Sequence, residues 1–469
     1  MVYQYTGVSA GVIVAGRAVH RLDNDDGELI MSDQVSAGKA ANQDAGGPPA
    51  DNFLAYIKAF GPGIVVALSW VGTGDLIDNS VAGGNYGYAL LWVLPLSLIF
   101  RFVFVNALGK YPLYNVQRDP SIVRGISRVH PAFGWLMLIS FVVYTHILMA
   151  FTLSGVGVAL EGLFGGLPTF WWAVVGALSV FAVTLKGAYR LIEQIFKVIL
   201  AVMVLTFVVG IALVGIDWGE LIKGFAFELP AQQGLFDSGL VASSLVLATL
   251  GSMANLFYPE FLREKGWTTP AYRKVQRYDL LFGTFVVLFL GVAIWAIGAE
   301  VLYGKQGVST AGDIADALGV AVGPIGPYIF YLGLLGAAWT TVAGSLFALS
   351  KMVVESLHVV RPQRAERYPR TGARTADPIY RWMILWGLVA VLWSLPNAPG
   401  FVALVVVAHV LTSPFLLLIV IALIVMLNRK DIMGKYVNSW KENCGLALVA
   451  VFVAVAAAQG IGKAVAEIL

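Results

Sequence analysis

The four residues Gly72-Thr73-Gly74-Asp75 lie inside the first long apolar stretch of the chain, Phe60 to Ala82. Their types suit cation binding. A carboxylate at bilayer depth is costly, and where one occurs it faces a protein cavity or an ion path. Glycine weakens a helix from within. Together they predict a helix break that presents Asp75 and the backbone carbonyl of Gly72 to a cation. A second apolar stretch repeats the oddity in Leu250-Gly251-Ser252-Met253-Ala254-Asn255, with Pro259 following. There Gly251 offers a carbonyl and Asn255 an amide oxygen. Plainer roles compete. Asp75 suits a cap on the second half-helix, Asn255 an interhelical hydrogen bond, and the glycines close helix packing. Asp75 is read as a ligand, because one side chain can cap and ligate and the flanking glycines need a reason. On the residues alone, Asn255 is evenly balanced.

The elements that must position these groups are membrane helices. The chain has 469 residues, 58% hydrophobic and 13% charged, whereas soluble domains carry about 25% charged residues. A net charge of +3 says less than the placement of the charges. The single cysteine, Cys444, excludes an internal disulfide framework or a cysteine-based metal cluster. HExxH, CxxC and GxxxxGKS patterns are absent, which gives no case for a zinc enzyme or an ATP-driven pump. No enzymatic activity and no cofactor are expected. Residues 1–52, with the acidic Asp23-Asn24-Asp25-Asp26 and the linker-like Gly46-Gly47-Pro48-Pro49, are expected to form a disordered tail rather than a signal peptide. Met31 is a candidate translation start.

Residues 53–469 carry eleven apolar segments, near 56–82, 87–109, 132–160, 168–186, 191–215, 238–261, 279–302, 325–356, 379–396, 399–427 and 444–465. Most are long enough to cross a bilayer core of about 30 Å as helices. Alternate loops are basic: Lys110, Arg118, Arg124 and Arg128; Lys186 and Arg190; Arg263 to Arg277; Arg361 to Arg374; Arg429 to Lys441. The intervening loops hold chiefly Lys223 and Lys305, beside Glu161, Asp217, Glu220, Glu228, Asp313 and Asp316. The positive-inside rule therefore predicts a cytoplasmic N-terminus and an extracellular C-terminus, in the cytoplasmic membrane. The interrupted segments, first and sixth, open two possible five-helix halves, 56–215 and 238–427. Interruptions at corresponding positions of two halves point to a transporter's midplane site, and an odd helix count per half inverts the second half.

The stretches Gly61-Pro62-Gly63, Ala82-Gly83-Gly84 and Gly87-Tyr88-Ala89-Leu90-Leu91-Trp92-Val93, with Asn428-Arg429-Lys430-Asp431-Ile432-Met433-Gly434, resemble the Nramp family of divalent-metal transporters. The resemblance implies an all-α LeuT-type fold: two inverted five-helix repeats, broken helices one and six, and an eleventh helix. The departures from the family pattern are informative. Where its first-helix motif reads Asp-Pro-Gly-Asn, this chain has Gly72, Thr73, Gly74 and Asp75. Where its sixth-helix motif has a metal-binding methionine followed by Pro-His, this chain has Asn255, Leu256 and Phe257. The family's proton-relay positions fall on Met149, Thr152 and Leu262.

This pattern is similar to the Nramp-related magnesium transporters, and that similarity tips Asn255 towards ligand. A thioether suits transition metals. An amide oxygen leaves an all-oxygen set, which suits a largely hydrated Mg2+ held by one or two carboxylates. Mg2+ is the expected substrate, with Mn2+ possible. The neutral relay positions imply uncoupled transport. A potential of 100 mV gives a divalent ion roughly 4.6 kcal/mol of inward drive. The alternative is a proton-coupled Mn2+/Fe2+ importer, with Glu260 or His146 supplying the acid relay. A sodium-coupled solute carrier and a membrane sensor rank behind. A monomer is expected, with lipids and the metal ion as partners and no nucleic acid.

Of the remaining polar residues, Asp78 and Glu260 read as solvated helix termini, and His146 and His409 as hydrogen-bonded core histidines. Lys197 is read as snorkelling. Trp171, Trp172, Trp218, Trp267 and Trp382 read as an interfacial belt.

Overall fold

The structure is a computed structural model that describes residues 55–56, 72–119, 121–186, 189–232, 236–250, 253–305, 307–368 and 376–468. The expected N-terminal tail, Gly251 and the side chain of Lys197 lie outside the described residues. All regular elements among the described residues are helical. Among the described residues, seven helices are long and apolar enough to cross a membrane, and three shorter apolar helices accompany them.

With α1 (Thr73–Tyr86), which covers the described end of the first, these helices fall on the expected segments. They are α2 (Val93–Tyr114), α3 (Pro131–Phe164), α4 (Thr169–Lys186), α5 (Tyr189–Val214), α6a (Ser238–Leu250) with α6b (Tyr258–Glu264), and α7 (Arg273–Ile297). Then follow α8 (Gly326–Val360), α9 (Pro378–Val389), α10a (Phe401–Leu411) with α10b (Ser413–Asn428), and α11 (Trp440–Ile468). The two longest, α3 and α8, have 34 and 35 residues and pack along one another. They hold the third place in each five-helix half. The ends of α3 follow from its sequence. The His130 ring accepts the Ala132 N–H, Pro131 takes the first turn, and Gly165 closes the helix at φ +61°, a value that favours glycine.

The sixth helix breaks as expected. After Leu250 the chain resumes as a 3-10 turn, Met253–Phe257, and then enters α6b. Pro259 sits in the first turn of α6b, where its missing N–H is tolerated. A further interruption falls in the tenth helix, at Thr412. Pro414 has no N–H for the Val410 carbonyl. The Ser413 hydroxyl donates to that carbonyl instead, at 2.6 Å, and the Thr412 hydroxyl donates to His409 O at 2.7 Å. In a membrane such side-chain bonds re-satisfy freed backbone groups.

At the end that carries the acidic loops, α1 is pressed onto α7 and the π-helical turn Gly298–Leu302 that extends it. A Cβ on Gly83 would lie 2.2 Å from the Trp295 carbonyl oxygen, so only glycine permits this approach. The Trp295 indole donates to Gly87 O at 2.7 Å. Glu300 accepts from the Tyr88 hydroxyl and from the Asp217 N–H, both at 2.8 Å. The expected aromatic belt holds for Trp171, Trp218 and Trp382, which are exposed. Trp267 departs from it: it is buried and stacks on Tyr272 at 6.1 Å, because the Gly266 turn (φ +78°) folds it back onto the protein.

Candidate metal-binding centre

Helix α1 begins directly after Gly72, which is extended at φ −95° and ψ −171°. The Gly72 carbonyl accepts the Leu76 N–H at 3.2 Å, so a cation would have to share this oxygen with the first helical hydrogen bond. Asp75 is the third helical residue, and its carboxylate accepts from the Gly72 N–H. This is one half of a capping box, so the capping role is present in the geometry. Asp75 keeps partial exposure while Thr73 and Leu76 beside it are buried.

Asn255 is buried in the 3-10 turn between α6a and α6b. Its amide nitrogen donates to Leu250 O at 2.7 Å, which ties the 3-10 turn back to the end of α6a. A cation could take only the amide oxygen. Helix α1 packs directly on α6a in the interior.

Two features of this region escape the sequence reading. The first is Arg101, buried in the middle of α2 and the leading charged influence on Asp75. The visible signal was a lone basic residue inside Ile99-Phe100-Arg101-Phe102-Val103, the one basic residue inside the second segment. The second is a polar cluster one turn along α1. Asp78, expected at a solvated terminus, is 1% exposed. Its Oδ1 accepts from the Ser244 hydroxyl of α6a at 2.8 Å. Its Oδ2 lies 2.8 Å from Nδ1 of His409 on α10a, a close approach that is not aligned as a straight hydrogen bond. The helix continues past Asp78 to Tyr86, so the carboxylate sits inside the bundle and needs partners there.

The other residues behave more plainly. His146 is hydrogen-bonded as expected: its Nδ1 meets Trp386 O and its Nε2 accepts from the Trp393 indole, both at 3.2 Å. Glu260 forms an exposed ion pair with Arg263. Met149, Thr152 and Leu262 are buried, and the Thr152 hydroxyl is taken up by Leu148 O at 2.7 Å.

A helix that begins beside a carboxylate, a sixth helix interrupted beside an amide, and long apolar helices around them mark a multi-pass membrane protein built like a secondary transporter. A family model described as "Natural resistance-associated macrophage protein-like" matches residues 63–462. The chain belongs to the Nramp family. Among curated relatives, a divalent metal cation transporter MntH of Listeria welshimeri is 24% identical over 427 residues, 87% of this chain and 90% of the relative. A MntH of Bacillus subtilis is 26% identical over 305 residues, 63% of this chain and 70% of the relative. Among solved structures, the Eremococcus coleocola manganese transporter in complex with an aromatic bis-isothiourea compound superposes with a TM-score of 0.68 at 16% identity, over 90% of each chain. A mutant of that transporter gives 0.70 at the same identity and coverage. The fold is LeuT-type.

Proposed function

We propose that this chain carries divalent metal cations across a membrane by alternating access, with Asp75 and Asn255 as side-chain ligands. The Gly72 carbonyl, and that of Gly251, would complete the set. The observation that carries the proposal is Asp75 itself, a partly exposed carboxylate at the start of α1 in a family whose named relatives move divalent metals. Mn2+ is the ion named for the structural relatives. The ligand set offered here is all oxygen, a hard set that admits Mg2+ as well as Mn2+. A site in the cytoplasmic membrane, with a cytoplasmic N-terminus and an extracellular C-terminus, follows from the basic loops.

On coupling, one observation favours the proton-coupled alternative over uncoupled transport. The buried Asp78 carboxylate lies 2.8 Å from the His409 ring, one turn from Asp75. Uptake of Mn2+ and Mg2+ into proteoliposomes, read by an internal metal dye, tests the proposal. Asp75→Ala should abolish uptake with the fold retained by circular dichroism. Uptake by Asp75→Ala at the wild-type rate would sink it.

A further inference from the structure

We propose that the pocket between the start of α3 and the end of α8 is a binding site for a phosphate group. It lies apart from the metal-binding centre, at the end of the bundle that carries the basic loops, and stands whichever ion that centre takes. The short helix Ile122–Ser127, which precedes α3, supplies Arg124, with Arg128 just beyond it. Helix α8 supplies His358 from its last turn, and the helix Pro362–Arg367 supplies Glu366. The cavity they line measures about 480 Å3, within the roughly 300–1,000 Å3 of small-molecule sites.

The two guanidinium groups are held in place before any ligand arrives. Asp119 accepts from Arg124 Nε at 2.7 Å and Nη2 at 2.6 Å, and from Arg128 Nη2 at 3.2 Å. Glu355 of α8 lies 3.3 Å from Arg124 Nη1 and accepts from the Ser121 hydroxyl at 2.6 Å. Arg429 fixes the backbone, donating to the carbonyls of Arg128 and Val129, both at 3.0 Å. A guanidinium carries five N–H groups in a planar fork. Among the described residues, Arg128 gives one N–H to Asp119, and its side chain is 34% exposed. The rest of its fork is open to a ligand. Binding groups fixed in advance lose less freedom when the ligand binds.

The charges around the pocket select an anion. Arg118, Arg124, Arg128, Arg361, Arg364 and Arg367 stand against Asp119, Glu355, Glu366 and Asp377. Asp119 and Glu355 are paired with Arg124, and Asp377 is held by Arg364 and the His358 ring. Among these carboxylates, only Glu366 lines the cavity. A phosphate has tetrahedrally placed oxygens and can accept from two arginine forks at once, in the strong bidentate manner. A carboxylate, with two oxygens in one plane, satisfies one fork. The surroundings point to a lipid as the source. Trp135, Leu136 and Ile139 of α3 are exposed, and Arg361 lies over the Trp135 ring at 5.9 Å. Exposed aromatic and basic groups side by side mark the level of lipid headgroups. The start of α3 is pressed onto the end of α8 there: a Cβ on Gly134 would come within 2.8 Å of Val360 Cγ1.

The experiment uses the full chain, purified in neutral detergent and freed of co-purified lipid. It is titrated with dioctanoyl phosphatidylglycerol, with inorganic phosphate and, as the phosphate-free control, with dioctanoylglycerol. Calorimetry and the thermal midpoint read binding. Phosphatidylglycerol should bind saturably and raise the midpoint, and dioctanoylglycerol should do neither. Displacement of the lipid by inorganic phosphate would show that the phosphate group suffices. Lipid binding that inorganic phosphate does not displace would assign the site to a lipid headgroup, and both outcomes uphold it. Arg128→Gln should weaken binding at least about tenfold. Glu366→Gln should tighten it, a gain that a merely damaged fold would not give. The proposal is overturned if neither phosphate probe binds wild type saturably, or if dioctanoylglycerol binds as well as the phospholipid. Unchanged affinity in Arg128→Gln, or weaker binding in Glu366→Gln, would overturn it too.

Discussion

The imidazole of His409 occupies the space where a side chain on Gly74 would begin, 2.5 Å from an added Cβ. Gly74 is therefore small for a packing reason, beyond any need to break a helix. Gly74→Ala should push the ring off Asp78. Overpacking of a filled interior costs about 1–3 kcal/mol. A lower thermal midpoint in detergent is expected, and His409→Ala should restore much of it when combined with Gly74→Ala. A Gly74→Ala variant as stable as wild type would contradict the packing.

Asn255 sets the hardness of the proposed site. Replacing it by methionine substitutes a soft thioether for the amide oxygen and removes the brace to Leu250 O. Asn255→Met should shift competition in favour of Cd2+ over Mg2+ in uptake assays, since soft ligands select soft ions. If the ranking of Cd2+, Mn2+ and Mg2+ stays as in wild type, Asn255 is not a ligand.

Arg101, buried in α2, is a positive charge that acts on Asp75. Its loss leaves a carboxylate at bilayer depth without that counter-charge. Arg101→Gln should lower the thermal midpoint of the metal-free protein, and Mn2+ should raise that midpoint by more than it does in wild type. Equal Mn2+ stabilisation in both proteins would show that Arg101 does not neutralise Asp75.

What was legible in the sequence divides along physical lines. Helices were legible because each is a long apolar run bounded by charge, and all eleven expected segments carry helices. The break at helix six was legible because Gly251, Asn255 and Pro259 are local signals. The interruption at Thr412 was not read, although Ser413-Pro414 marks it, because the apolar run continues through it. The Asp78–His409 pair was hidden for a different reason: its members lie far apart in sequence, and only the packing of α1 on α10a joins them. Trp267 was misplaced because proximity to a segment end does not say which way a turn folds the side chain.

Beyond the apolar segments, Asp377 anchors the loop before α9. Burial opposes its ionisation. Two hydrogen bonds from Arg364, at 2.8 and 2.6 Å, the Ile379 N–H and the His358 ring outweigh that and hold it well below the usual carboxylate range. A depressed carboxyl contributes stability above its unfolded pKa of about 3.9 and loses it as pH falls through the lower folded value. Arg364→Ala should raise the Asp377 pKa. The stability gap between wild type and variant should then be constant from neutral pH down to about pH 5 and shrink in more acidic buffer. A gap that widens on acidification would contradict this sign.

Asn85 closes the acidic-loop end of the bundle. Its amide makes a two-way pair with the Val308 backbone, accepting from the Val308 N–H at 2.7 Å and donating to its carbonyl at 3.1 Å. Asn85 is buried at the last turn of α1, and Val308 is buried in the segment that follows the π-helical turn. Leaving buried backbone groups unsatisfied costs about 1–3 kcal/mol each. Asn85→Ala should therefore loosen the contact between α1 and that segment without touching Asp75. Hydrogen exchange at Val308 should quicken markedly, and Mn2+ binding in detergent should stay within about threefold of wild type if α1 keeps its start at Gly72. Unchanged protection at Val308 would mean that the glycine packing of Gly83 on Trp295, rather than this pair, holds α1 in place.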